Sequence, residues 1–245
     1  MRHLISILAG FSLAFASPAY GGEARSVSIA TDGGSASATA TAVGNANALA
    51  IAGASRGGRA IANSAAIGTH SGFADSRSVA IADHGLAISD ATADARGSHG
   101  GSAIADSQSI AATIGGVAIS NSDARARGTF WGHARSQSSS LALSDHGLAV
   151  SNSRAASEGL FGGVAESVSD SLANSYRGTS ISDVQAVSGA RWQARAESDG
   201  LGVSISNPFR ASRANVYAES RAHNFGRSRS QAVSVEIDGS ERGSW

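Results

Sequence analysis

Small side chains alternate with larger ones in the central part of the chain, with a period of two. After Gly85, every second residue is Ala or Ser up to Gly97, and the positions between them begin with Leu86 and Ile88 before turning polar. Successive side chains point to opposite sides of a strand, whereas a helix would scatter such positions around its axis. The pattern predicts strands with one face of Ala, Ser and Gly, although Ala has a low strand propensity.

The alternating segments recur at an interval of 31 residues. Four glycines keep this interval: Gly85, Gly116, Gly147 and Gly178. Two aliphatic sets keep it as well: Ile88, Ile119, Val150 and Ile181, and Val79, Ile110, Leu141 and Leu172. The register holds over residues 77–182, and each unit divides into halves of about 15 and 16 residues. Self-similarity at a fixed period is the signature of a repeat architecture.

These observations predict an all-β fold, a repetitive parallel β-solenoid of the β-roll or β-helix type. Stacking of identical units should place each aliphatic set in a ladder, and the glycines at turns with positive φ or closely approaching backbones. If each of roughly fourteen half-units forms one rung, rungs about 4.8 Å apart give a rod about 65 Å long. Disorder is the competing interpretation, because low-complexity chains rich in Ala, Ser and Gly often stay unfolded.

The two ends of the chain differ from the repeats. Residues 1–19 combine a positive start, an apolar stretch and small residues for cleavage, which predicts a secretory signal peptide and export. Solenoid repeats are expected over residues 20–187, and degenerate repeats or a cap over residues 188–245, which are richer in Arg, Glu and bulky side chains. No second apolar stretch has the length of a membrane helix, so we expect no transmembrane segment in the mature chain.

Composition excludes several classes of function. The sequence has no Cys and no Lys, and its 19 basic residues balance 19 acidic ones. Without Cys there are no disulfides or thiolate zinc sites, and without Lys there is no Gly-x-x-x-x-Gly-Lys phosphate loop. Balanced charge argues against nucleic-acid binding, and no acidic cluster of the glycosidase type recurs on one face. We therefore expect no catalytic residues, no cofactor and no metal site.

An Asp-His pair stands before two of the turn glycines, as Asp83-His84 and Asp145-His146. A Ser-His-Asp triad or a histidine metal site would require these side chains to converge. Adjacent strand residues point to opposite faces, so we expect Asp83 and His84 not to hydrogen-bond readily in the manner of a triad, and we interpret both pairs as turn residues.

Aromatic and amide side chains are few. Phe130, Phe161 and Tyr176 stand near turns, where a projecting row of binding side chains and local packing are both open interpretations. Asn and Gln are too sparse to predict ladders of stacked amides.

Two segments resemble a known family. Residues 63–68 read Asn-Ser-Ala-Ala-Ile-Gly, and residues 75–82 read Asp-Ser-Arg-Ser-Val-Ala-Ile-Ala. Over residues 35–185 the chain resembles the head repeats of trimeric autotransporter adhesins of the YadA type, which read roughly Ser-x-Ala-Ile-Gly. The resemblance implies left-handed parallel β-rolls, packed as a homotrimer on a bacterial surface and binding host matrix or other cells. The heptad stalk and membrane strands of that family do not occur in this sequence.

The sequence thus favours a secreted, non-enzymatic repeat protein with a structural or adhesive role at a bacterial cell surface or matrix. A self-assembling fibre subunit of the functional-amyloid type is the alternative, because open solenoid ends expose unpaired strand edges. An ice-binding solenoid and a parallel β-helix enzyme are less favoured, since neither Thr nor an acidic cluster recurs at the repeat interval. Homotrimer, fibre self-association, and an extracellular matrix or polysaccharide ligand are the partner assignments left open.

Overall fold

The computed structural model describes residues 19–20, 23–69, 72–97, 102–130, 133–161, 164–176, 178–192, 195–206, 211–223 and 227–238. The odd-numbered strands are β1 (Ala19–Tyr20), β3 (Ser35–Val43), β5 (Arg59–Gly68), β7 (Leu86–Gly97), β9 (Val117–Gly128), β11 (Leu148–Leu160), β13 (Thr179–Arg191) and β15 (Ser212–His223). The even-numbered strands are β2 (Glu23–Ala30), β4 (Ala46–Ala54), β6 (Phe73–Asp83), β8 (Ala103–Ile114), β10 (His133–Asp145), β12 (Val164–Ser175), β14 (Arg195–Ser206) and β16 (Arg227–Asp238).

The strands form two parallel sheets that lie face to face. All odd strands pair in order in one sheet, the odd sheet, and all even strands pair in order in the other, the even sheet. The chain crosses between the sheets at each turn, so one coil contains one strand of each. The fold is a two-sided parallel β-solenoid with a 31-residue repeat, which confirms the predicted fold class.

The predicted rod length is wrong because the half-units do not stack on one another. Consecutive half-units lie in opposite sheets, and a strand pairs with the strands two positions away in the chain. Each sheet has eight strands, so its stacking height is about 34 Å at about 4.8 Å per strand.

The two aliphatic sets stack in register. In the even sheet, Ile110 is paired with Val79 on one side and Leu141 on the other, and Leu172 follows Leu141. The equivalent set of the odd sheet is likewise in line: Ile88, Ile119, Val150 and Ile181. Both ladders point outward and keep part of their surface exposed. The two ladders are therefore part of the outer surface of the solenoid and not of its core.

The core between the sheets consists almost entirely of Ala and Ser. Every second residue of the central strands is buried, and the largest fully buried side chains of the described residues are serines. No hydrophobic side chain larger than Ala is buried in the described part of the chain except Val184. Burial of Ala contributes little hydrophobic free energy per residue, so hydrogen bonding must hold the layers in register.

Serine hydroxyls cross the core from one sheet to the other. Ser138 of β10 donates to the carbonyl oxygen of Ser122 in β9 at 2.8 Å, and Ser153 of β11 donates to the carbonyl oxygen of Ser138 at 2.8 Å. Ser109 and Ser120 repeat this pattern, since Ser120 donates to the carbonyl oxygen of Ser109 at 2.7 Å. A serine side chain is short, so the two sheets lie much closer than the about 10 Å of ordinary stacked sheets.

Near the C-terminal end, larger and smaller residues compensate each other across the core. Val184 and Val216 occupy inward positions of the odd sheet, and the even sheet has Gly200 and Gly202 opposite them. A Cβ atom on Gly202 would lie 2.7 Å from Cγ2 of Val216. The two glycines thus leave room for the two valines where the Ala/Ser pattern ends.

The turn glycines of successive coils lie directly above one another. Their backbones approach so closely that no side chain fits between them. A Cβ atom on Gly116 would lie 1.9 Å from the carbonyl oxygen of Gly85, and one on Gly147 would lie 1.8 Å from that of Gly116. The positive φ belongs to the preceding residue, which is +51° at His84 and +66° at Gly115.

The C-terminal end of the solenoid carries charge at an inward position. Strands β14, β15 and β16 extend both sheets. Glu236 of β16 stands at a position that is Ala or Ser in the preceding even strands, and its carboxylate accepts a hydrogen bond from the Ala214 amide at 2.8 Å. Inward-pointing charge on an edge strand opposes pairing with a further strand.

The predicted signal peptide falls mainly outside the described residues, which omit 1–18. Ala19 and Tyr20 pair with Ala42 and Val43 of β3. In the described ranges, no helix has the length and hydropathy to cross a membrane.

Replacement of a turn glycine should destabilise the fold strongly. Gly116→Ala would force a Cβ atom against the Gly85 carbonyl, and we expect a loss of about 4 kcal/mol or more of unfolding free energy in urea denaturation. Gly189→Ala is the control, because open space surrounds its Cβ position and the change should stay within about 0.5 kcal/mol. Equal destabilisation by both variants would contradict the close approach.

Enlargement of a core serine should also be destabilising. Ser138→Val removes a hydrogen bond across the core and adds a methyl group where the opposite backbone leaves no room, so we expect a loss of about 3 kcal/mol. Ser139→Val, on the exposed side of the same strand, should change stability by less than about 0.5 kcal/mol. Equal urea midpoints for the two variants would contradict the close spacing of the two sheets.

Candidate functional site

The two Asp-His pairs do make contact, contrary to the expectation from strand alternation. Nδ1 of His84 lies 2.6 Å from Oδ1 of Asp83, and Nδ1 of His146 lies 2.8 Å from Oδ1 of Asp145. The reason is the positive φ of both histidines, +51° and +58°. They belong to turns, where the alternation of faces breaks down.

The environment of these pairs is that of a turn edge. The His84 ring lies against Gly115 of the next turn, where a Cβ atom would come within 3.1 Å of its Cδ2. The His146 ring packs edge-on against Tyr176, with 6.4 Å between ring centroids. Over the residues that the structure describes, no three His, Asp or Glu side chains are grouped to hold a metal ion.

Aromatic residues form a stacked column on the opposite edge. Phe130 and Phe161 stack with centroids 5.1 Å apart, and Phe161 and Trp192 stack with centroids 6.4 Å apart. All three residues have positive φ, as the histidines do. All three side chains keep about half of their surface exposed, at 49%, 44% and 54%.

The outward surface of the even sheet, the even face, is the apolar side of the molecule. One column, the aliphatic row, has an aliphatic residue in every even strand: Val27, Ile51, Val79, Ile110, Leu141, Leu172, Val203 and Val235. The next column adds further exposed side chains: Ile29, Ile81, Leu143 and Ile237. Ile110 is 38% exposed although it lies mid-row. Contiguous exposed apolar surface of this kind marks an interaction site.

Acidic groups flank this apolar surface and repel one another. Asp106 is paired in register with Asp75 of the neighbouring strand. Partial burial, with the nearby Asp75 charge as a second cause, raises the pKa of Asp106 above its usual value. Partial burial, together with the Asp199 charge, also raises the pKa of Asp170. A partner that covers this face would have to accommodate these carboxyls.

The raised pKa of Asp106 predicts a pH-dependent stability. A carboxyl that holds its proton more tightly in the folded state lowers stability as the pH rises through the folded pKa. Asp106→Asn should therefore raise the thermal midpoint at pH 7, and the gain should shrink as the pH falls towards the acidic range. Asp94→Asn removes an ion pair with Arg96 and should give no gain at pH 7. A gain of Asp106→Asn that is the same at every pH would contradict the charge explanation.

The outward surface of the odd sheet, the odd face, carries a ladder of Asn and Asp side chains, the Asx ladder. Its members are in register on adjacent strands: Asn63, Asp90, Asn121, Asn152, Asp183 and Asn215. Asn152 donates to Oδ1 of Asn121 at 2.8 Å, and Asn121 donates to Oδ1 of Asp90 at 2.6 Å. The expectation that amides are too sparse for ladders is wrong. The 31-residue spacing of positions 90, 121, 152 and 183 was the signal that could have shown it.

A trough of about 530 Å³ runs beside the Asx ladder. It crosses β7, β9, β11, β13 and β15, with the ladder as one wall. The opposite wall is the next outward column: Thr92, Asp123, Arg154, Gln185 and Tyr217. The floor is the chain between the walls, at Ala91, Ser122, Ser153, Val184 and Val216.

Neither a known protein family, nor a curated protein, nor a solved structure matches this chain.

Proposed function

We propose that this chain is a secreted, non-enzymatic repeat protein with a structural or adhesive role at a bacterial cell surface or matrix. Its even face associates with further copies of the chain, and its odd face is left to contact other molecules. The observation that supports the proposal most is the aliphatic row, which continues through all eight even strands.

The size of the even face fits a stable interface. Eight strands stacked over about 34 Å, with central strands of twelve or thirteen residues, give a face on the order of 1,000 Å² per copy. A standard interface buries about 800 Å² per partner. The side-by-side packing implied by the resemblance to YadA-type heads agrees with association through this face.

Head-to-tail growth into a fibre is the alternative mode of association. It would require β15 and β16 of one copy to pair with the first strands of the next. Glu236, which points inward and binds the Ala214 amide, opposes this arrangement at the C-terminal end. We therefore favour lateral association into an oligomer of defined size.

Sedimentation of the mature chain tests the proposal. The double variant Ile110→Arg/Leu143→Arg places two charges in the middle of the even face, and we expect the oligomer to dissociate into monomers. The matched control is Ile88→Arg/Val150→Arg, which alters the equivalent ladder of the odd face and should leave the oligomer intact. Circular dichroism of both variants checks that the β-structure is retained.

Three outcomes would overturn lateral association. The native chain could sediment as a monomer at micromolar concentration, the two double variants could dissociate equally, or the native chain could form long polymers. The last result would support the fibre alternative.

A further inference from the structure

We propose that the trough on the odd face binds a neutral polysaccharide that lies along the solenoid axis. This inference rests on the adhesive part of the proposed function and names the ligand class. The trough lies on the odd face, so occupation of the even face by other copies leaves it open.

Along the line of the trough floor, backbone amides of the odd strands bond to serines of the even sheet. The amide of Thr92 donates to Oγ of Ser76 at 3.2 Å, and the amide of Arg154 donates to Oγ of Ser138 at 3.2 Å. Both bonds run inward across the core. The outward side chains on either side of this line then stand as two walls.

The same chemistry recurs at each strand along the trough. The five strands that it crosses span about 19 Å at about 4.8 Å per strand. Its volume of about 530 Å³ lies within the range of ligand sites, about 300–1,000 Å³. An elongated ligand with repeating polar groups fits this shape better than a compact one.

Within the trough, where it runs from Asp90 to Asn215, the Asx ladder is interrupted at one step, and this break identifies the chemistry that is missing. Asn152 donates its amide to Asn121, while Asp183 accepts from Asn215 at 2.6 Å. An ionised carboxylate cannot donate, so the Asn152 carbonyl and the Asp183 carboxylate are two acceptors on paired positions of adjacent strands. In the described part of the chain, no hydrogen bond joins these two side chains. A ligand hydroxyl placed there would donate to them.

The opposite wall complements a hydroxyl-rich ligand. Arg154 and Gln185 supply donors, and Asp123, held by Arg125 at 2.6 Å, supplies an acceptor. The half-exposed ring of Tyr217 supplies an apolar surface for the carbon face of a sugar ring. A peptide fits less well, because the backbone groups of the odd strands already bond to neighbouring strands or, at Thr92 and Arg154, to core serines, and cannot bind a peptide backbone.

The Asp183→Asn variant tests the inference directly. Its new amide can donate to Asn152 and so close the break, which should weaken saccharide binding about tenfold or more. The thermal midpoint should stay equal or rise, because the ladder gains a hydrogen bond. Asp199→Asn, an exposed acid of the even face, is the matched control and should bind within about twofold of the native chain.

Isothermal titration calorimetry of the mature chain with cellohexaose, chitohexaose and mannohexaose provides the readout. We expect at least one of these neutral saccharides to bind and to lose affinity with Asp183→Asn. The inference is overturned if none of them binds at millimolar concentration, if Asp183→Asn binds like the native chain, or if only a proline-rich peptide of similar length binds. Sedimentation of the same samples separates the two proposals, since self-association does not depend on Asp183.

Discussion

The close approach of the two sheets is the constraint on which the whole structure depends. A hydroxyl of one sheet reaches a backbone carbonyl of the other, so nearly all inward positions are Ser, Ala or Gly. The same closeness forces glycine at the stacked turns, where a Cβ atom would meet the carbonyl of the turn below. Val184 and Val216 enter the core only where Gly200 and Gly202 stand opposite.

Because the core contains almost only Ala and Ser, most of the large and charged side chains of the protein lie on its outward faces. The large aliphatic residues that would fill the core of an ordinary domain lie on the outward side of the strands. They form columns because equivalent residues of successive repeats are paired in register. On the even sheet these columns make an apolar face, and on the odd sheet a polar ladder and trough adjoin them. The molecule therefore has two faces of different chemistry, and we propose that one binds copies of the chain and the other a hydrated ligand.

The sequence predicted the elements that follow from local rules. Period-two alternation and the 31-residue spacing gave the strands, the parallel stacking and the aliphatic ladders, since these need only that equivalent residues align. The predicted rod length was wrong because periodicity does not reveal how many strands make one coil. The prediction for Asp83 and His84 was wrong because it extended strand alternation into a turn, where His84 has a positive φ. The trough could not be foreseen, because periodicity aligns its lining residues but does not show that a depression of about 530 Å³ lies between them.

A crystal structure of the mature chain would measure the spacing of the two sheets through the distance between Oγ of Ser138 and the carbonyl oxygen of Ser122. We expect a hydrogen bond of about 2.8 Å between these atoms. A separation too long for a hydrogen bond, with the sheets about 10 Å apart as in ordinary sandwiches, would contradict it.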